Sequence, residues 1–429
     1  MQRRVWIQEN PVRLAPAFVL VFFLTWGALA KAEAPAPLAK FSSDKLQRLT
    51  GFFDNEVSTG KIPGAIVFIE QYGKQVYFKS LGVRDVVTKA PMTPDTIFAL
   101  TSLTKPITNF AAMMLIDRGK IGLDDPIAKY IPAFAKVTVG MEVKVDDKPD
   151  HLDIVPPVRP PTIRDLMRQT SGITYDYVGG ELIRKVYKAA NIFAGDFNNA
   201  EFADRIAALP LSRQPGTMWC YGHSTDVLAR VIEVVSGQPL YQFLKENIFD
   251  PLGMHDTKFV LTDAERARFA MPLPTDTGLV DWEVERLTHP NWQSGGGGLF
   301  STVPDYAQFL RMILGRGVLG GRRYLSDKAF TEMTSDQIGP GSGVGRDYFY
   351  FPGDGFDYGL GFGIRVAPGN AVPPPAGSIG EIKWDGGSGV YFGVDPKLQS
   401  IYILFEQTGA QRNRILPAAK KLVYDAVGD

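Results

Sequence analysis

The sequence predicts an α+β fold in which one antiparallel sheet, built from both chain ends, is flanked by helices and carries a helical insertion domain. Three observations predict it. A hairpin pattern lies near the start, where Ala65-Ile66-Val67-Phe68-Ile69-Glu70 and Gln75-Val76-Tyr77-Phe78 flank Tyr72-Gly73-Lys74. A second lies near the end, where the apolar runs Gly389 to Val394 and Ser400 to Phe405 flank Asp395-Pro396-Lys397. Between them, residues 121–290 read as helices with proline-rich joints such as Pro156-Pro157 and Pro160-Pro161. The α/β domain is therefore expected to be discontinuous, residues 42–120 and 291–429, with 121–290 as a mainly α-helical domain.

Taken in order, residues 1–32 read as an export signal. Arg3, Arg4 and Arg13 precede the uncharged stretch Leu14 to Ala30, which closes in small residues. The chain is expected to be exported, periplasmic or secreted, with no stable membrane association once the signal is cleaved. An uncleaved anchor is the alternative, although the apolar run is short beside the roughly 20 residues that span a bilayer. Ser42 and Ser43 cap an amphipathic helix through Leu46, Leu49 and Phe53 that Gly60 stops. A long apolar helix runs from about Ser102 to Gly119, Thr162 and Asp165 form a capping box, and a helix over about 412–427 closes the chain.

Composition narrows the function. With 45% hydrophobic and 21% charged residues over 429, the chain can bury a large core. Lys plus Arg and Asp plus Glu both count 46, so no basic footprint for nucleic acid is present. A single cysteine, Cys220, rules out an intrachain disulfide and suits a small buried apolar position. No His-x-His or His-Glu-x-x-His pattern points to a metal, and no cofactor is implied.

Chemistry enters at Ser102-Leu103-Thr104-Lys105. A serine hydroxyl is a weak nucleophile until a base takes its proton, and an i+3 spacing on a helix brings Lys105 to the face of Ser102. The pattern itself is common: Ser42 with Lys45 and Ser58 with Lys61 share it. What sets Ser102 apart is the apolar run Ile97 to Leu100 before it and Pro106 after it. Proline is tolerated only in a first helical turn, so the helix is expected to begin at about Ser102 or Leu103. Two further elements could serve such a dyad. Tyr221-Gly222-His223 opens a helical run, and the phenol could relay a proton. Trp384-Asp385-Gly386-Gly387-Ser388-Gly389 precedes a strand, where glycines let backbone N–H groups approach a ligand and complete an oxyanion hole.

Together these elements resemble the three active-site motifs of serine β-lactamases, penicillin-binding proteins and the related family VIII carboxylesterases. Leu166 to Ile173, Pro251-Leu252-Gly253-Met254 and Gly295 to Thr302 resemble framework segments of the same group, and the likeness covers about 42–427. It implies Ser102 as acylated nucleophile, Lys105 and Tyr221 as proton carriers, and Gly387, Trp384, Gly386, His223 and Asp385 as oxyanion or substrate-binding residues. β-Lactamases usually place Lys-Thr-Gly where this chain has Trp384-Asp385-Gly386, and the Trp resembles the Trp-Gly-Gly of the family VIII esterases. Asp385 departs even from that, and His223 stands where Asn is common in β-lactamases. Lys383 is adjacent, but strand alternation points it away from the face of Trp384.

A site lacking that cation favours uncharged esters over anionic substrates. The expected activity is a serine carboxylesterase acting on short-chain acyl or aryl esters, with weak hydrolysis of β-lactams such as cephalosporins beside it. The alternatives are a class C-like β-lactamase or D-alanyl-D-alanine peptidase, and a non-catalytic cell-wall-binding homologue. An α/β-hydrolase reading fails because Ala376-Gly377-Ser378-Ile379-Gly380 and Gly386-Gly387-Ser388-Gly389-Val390 each miss one glycine of Gly-x-Ser-x-Gly. Ser294-Gly295-Gly296-Gly297-Gly298 lacks the Gly-Lys ending of a phosphate loop and reads as a flexible loop near the site.

Overall fold

A computed structural model describes residues 40–144, 150–279, 289–346 and 353–428. The export signal expected over 1–32 lies outside the described residues.

The elements that position the site are helix α1 (Ser43–Ser58), strands β1 (Gly64–Gln71) and β2 (Lys74–Gly82), and helices α2 (Thr104–Asp117), α3 (Asn199–Ala207), α4 (Ser224–Ser236) and α5 (Val303–Leu314). They are followed by strands β3 (Phe356–Tyr358), β4 (Gly363–Arg365), β5 (Ile382–Asp385), β6 (Tyr391–Asp395) and β7 (Ser400–Glu406), and by helix α6 (Arg412–Asp425). The strands form one seven-stranded sheet in the order β3-β4-β5-β6-β7-β1-β2, every pair antiparallel. β1 meets β7 in the register Phe68 opposite Ile403, which joins the two chain ends in the middle of the sheet.

Both sheet faces are covered, which explains why β1 reads as a continuous apolar run rather than an alternating one. Ile66 and Phe68 face a core shared with α2, α4 and α5, while Ala65, Val67 and Ile69 face a second core under α1 and α6. Every residue of α2 from Thr104 to Leu115 is buried, the mark of a helix packed on all sides. Its N-terminus is thereby fixed against both the sheet and the helical layer.

The expected capping box is present: the Thr162 hydroxyl accepts from the Asp165 N–H, and the Asp165 carboxylate accepts from the Thr162 N–H. The helical pattern expected over 121–290 is interrupted by a strand pair, Val139–Val143 with His151–Val155. Four of its ten residues are exposed, and its apolar alternation, Val139-Met141-Val143 with Leu152 and Ile154 on the partner strand, runs too few positions to stand out from the helical pattern around it. Cys220, the single cysteine, is buried, as expected of a small apolar side chain.

Candidate active site

Ser102 lies in a 3-10 turn, Thr101–Leu103, and the α-helix proper begins two residues later at Thr104. The expected start at Ser102 or Leu103 is thus corrected by one tight turn, which Pro106 tolerates because its missing N–H still falls in the first turn of α2. Thr101, immediately before the serine, has φ of 44°, a costly value for a β-branched residue. The end of β5 holds this turn in place. Ser388 donates its hydroxyl to the Ala99 carbonyl at 2.7 Å, and its N–H reaches Thr101 Oγ1 at 3.4 Å. Gly386 has no room for a side chain, since a Cβ there would stand 2.4 Å from the Leu100 carbonyl oxygen.

Lys105 is wholly buried. Its Nζ lies 2.7 Å from the Gly296 carbonyl, 3.1 Å from the Tyr175 hydroxyl and 3.2 Å from Ser102 Oγ. Burial lowers its pKa to about 8, against the opposing pull of the Asp226 carboxylate. A neutral amine has two N–H groups and one lone pair. The carbonyl can only accept and the Tyr175 oxygen can accept as well, so the lone pair is left for the Ser102 hydroxyl proton. At pH 7 roughly one molecule in ten holds Lys105 in this form.

Tyr221 is brought beside the dyad. The Lys105 amine stands 4.6 Å from its ring centre, and the Ser102 side chain is close enough to the phenol to favour its ionised form slightly. Burial raises the pKa of Tyr221 far more than its neighbours lower it, so the phenol holds its proton at neutral pH. Trp219, Tyr175 and Trp384 pack around the ring at 5.8, 5.7 and 5.8 Å. Trp384 is 1% exposed. Its ring therefore backs Tyr221 from the core instead of lining the main cleft.

His223 lines the cleft, and its Nδ1 lies 3.0 Å from Asp226 Oδ2. Asp226 Oδ1 accepts the Ser294 hydroxyl at 2.5 Å and the Gly296 N–H at 2.9 Å. The Gly295 carbonyl accepts from Thr108, and the Thr104 hydroxyl takes the Leu299 N–H. The loop expected to be flexible near the site does reach the site, but it is bolted to α2 and α4 by these bonds. A Cβ on Gly296 would stand 2.6 Å from the Asp226 carboxylate, so only glycine allows this approach. Asp226 and Tyr175 were not singled out from sequence. Asp226 reads as an ordinary acidic residue in a first helical turn, favoured there by the dipole alone, and nothing local distinguishes Tyr175.

Gly387 opens onto the cleft beside Ser102, whereas Asp385 points to the opposite side and pairs with Arg412 at 3.6 Å. Arg412 also reaches back: its Nη1 is 3.9 Å from where a Gly387 side chain would begin. The cleft encloses about 630 Å³ and is walled by Tyr175, Tyr177, Phe193 and Trp292, with Asp176 and Asp276 among its acidic residues. Among the described residues no cluster of His, Cys, Asp or Glu is arranged to hold a metal ion.

The fold places the chain among proteins built like the serine β-lactamases. The β-lactamase family model matches residues 49–424, and the chain belongs to that family. It is 30% identical over 386 residues to the esterase EstB of Burkholderia gladioli, covering 84% of this chain and 90% of EstB. It is 33% identical over 299 residues to a lovastatin esterase of Penicillium rubens, covering 67% and 72%. Among solved structures it resembles EstCE1, a hydrolase with promiscuous acyltransferase activity, with a TM-score of 0.71 at 22% identity over 90% of this chain and 98% of that one. The esterase relatives mark a hydrolase built on the β-lactamase fold.

Proposed function

We propose that the protein is a serine carboxylesterase that cleaves uncharged short-chain acyl or aryl esters through an acyl-enzyme on Ser102. The observation that carries this reading is the Lys105 amine, buried, shifted towards neutrality and aimed at Ser102 Oγ. Ser102 Oγ attacks the ester carbonyl while its proton passes to Lys105. The N–H groups of Ser102 and Gly387 receive the oxyanion. Tyr221 delivers a proton to the departing alkoxide and regains one from Lys105, and water then releases the acid by the reverse relay. The acidic residues at the cleft and the pairing of Arg412 with Asp385 favour neutral substrates. The esterase relatives support the same substrate class.

The nearness of Arg412 to Gly387 favours one secondary reading, weak hydrolysis of β-lactams, whose carboxylate that guanidinium could meet. The protein is proposed to act outside the cytoplasm after loss of its signal. Intact-mass detection of an acyl-enzyme, with p-nitrophenyl butyrate and a chromogenic cephalosporin compared side by side, tests the whole reading. Full activity of Ser102→Ala on the ester would sink it, and failure of a fluorophosphonate to label Ser102 would return the protein to a binding role.

A further inference from the structure

The outer face of β5 carries a ladder of charges against α6. Glu381, just before the strand, binds Lys420 through both carboxylate oxygens at 2.7 and 2.8 Å. Two rungs on, Asp385 pairs with Arg412 at 3.6 Å. Positions 412, 416 and 420 are successive turns of one helix face. The middle rung therefore sets Lys383 against Leu416, and α6 offers it no carboxylate. Among the described residues the Lys383 amine makes no hydrogen bond or ion pair and only stands 4.1 Å from the ring centre of Phe356. Lys420 lies 5.0 Å from the same ring.

Lys383 opens into a cleft of about 290 Å³, separate from the one at Ser102. Phe356, Pro375, Leu416 and Pro417 form its apolar walls, and Asn413 and Asp354 stand among its polar residues. The Asp354 carboxylate is already held by the N–H groups of Asn370 and Ala371 at 2.7 and 2.8 Å. Burial strips the ammonium of hydration, and the Glu381 and Asp385 carboxylates on either side are already engaged by Lys420 and Arg412. The lowered pKa of Lys383, about 8 through burial and the neighbouring charge of Lys420, reflects that setting. A ligand that brings one negative charge and a small apolar body would complete the ladder.

We propose that Lys383 anchors a second, non-catalytic binding site, between β5 and α6, for a small monocarboxylate with an apolar body. The oxygens meet the Lys383 amine and the body lies against Phe356, Pro375 and Leu416. This site does not depend on the catalytic reading, and its test is made on Ser102→Ala protein, in which the acyl-enzyme cannot form.

The experiment is calorimetric titration with benzoate and with butyrate at pH 7, repeated with inorganic phosphate. Saturable binding at one site is expected, tighter for benzoate than for phosphate. Lys383→Met should weaken benzoate at least tenfold, and Lys383→Arg, which keeps the charge, should restore it to within a few-fold. Thermal melting of each variant checks that the fold is retained. Absence of saturable benzoate binding overturns the proposal, as does binding unchanged in Lys383→Met. Phosphate binding as tightly as benzoate overturns the assignment to a monocarboxylate.

Discussion

Asp226 and Gly296 are joined by a single short bond, yet it couples a carboxylate to the catalytic candidate on another helix. Asp226 Oδ1 accepts the Gly296 N–H at 2.9 Å, and the carbonyl of that same residue accepts from Lys105 at 2.7 Å. One residue thus transmits the position of a buried anion on α4 to the amine on α2. The anion also acts through space, raising the pKa that burial lowers.

Asp226→Asn separates these two effects. If neutral Lys105 is the base, wild-type kcat/KM on p-nitrophenyl butyrate rises with pH through an apparent pKa of about 8. Removing the anion withdraws the charge that favours the ammonium, so the rising limb should move to lower pH. The plateau should fall by roughly tenfold, because the loop that orients the amine loses charge-assisted bonds worth about 1.5–3 kcal/mol each. A limb that moves to higher pH would show that Lys105 does not act as the base.

Lys105→Arg asks whether the residue works as a base or as a fixed charge. Arginine keeps the cation and its donors but does not deprotonate in proteins. The expected loss in kcat/KM is about 10³-fold or more, close to that of Lys105→Met. Near-native activity in the arginine variant would assign the lysine a purely electrostatic role. Intact mass after a short exposure to ester tells which half-reaction has stopped.

Asp385→Gly restores the glycine that the family VIII pattern would place after Trp384. It removes the carboxylate that now draws Arg412 from 3.6 Å and so lets the guanidinium shift towards Gly387. The ratio of cephalosporin to p-nitrophenyl ester turnover should rise several-fold, since a cation near the oxyanion strand suits an anionic substrate. An unchanged ratio would mean that Arg412 has no part in substrate choice.

How much of this was legible depended on whether a signal was local. The two hairpins and the terminal helices were, because β1 and β7 are buried on both faces and written in uninterrupted apolar residues. The meeting of both termini in one sheet followed from them. Ser102 was legible through Pro106, whose constraint acts within one turn. The strand pair at 139–155 was not, since its apolar alternation, Val139-Met141-Val143 on one strand, is only three positions long. Nor were Asp226, Tyr175 and the Gly296 carbonyl. Their place at the site comes from tertiary contacts between segments far apart in sequence, and a backbone carbonyl has no letter of its own. Trp384 was expected among the substrate-binding residues, and sequence could not say that its ring turns inward against Tyr221.

Glu406 closes β7 with its side chain wholly buried and neither carboxylate oxygen hydrogen-bonded among the described residues. Burial pushes its pKa well above the usual carboxylate range, more strongly than the Arg414 charge pulls it down. The folded protein therefore keeps a proton there that the unfolded chain gives up as pH passes about 4.5. With more protons bound in the folded state, this group makes stability fall as pH rises above that point, by up to about 1.4 kcal/mol per unit until the folded-state pKa is reached. Glu406→Gln keeps the shape and removes the titration. At pH 4 the variant should be no more stable than wild type, since its extra N–H also wants a partner. From pH 5 to pH 8 its melting temperature should pull steadily ahead of wild type. Parallel melting curves across that range would show that Glu406 ionises in the folded protein as freely as in the unfolded chain.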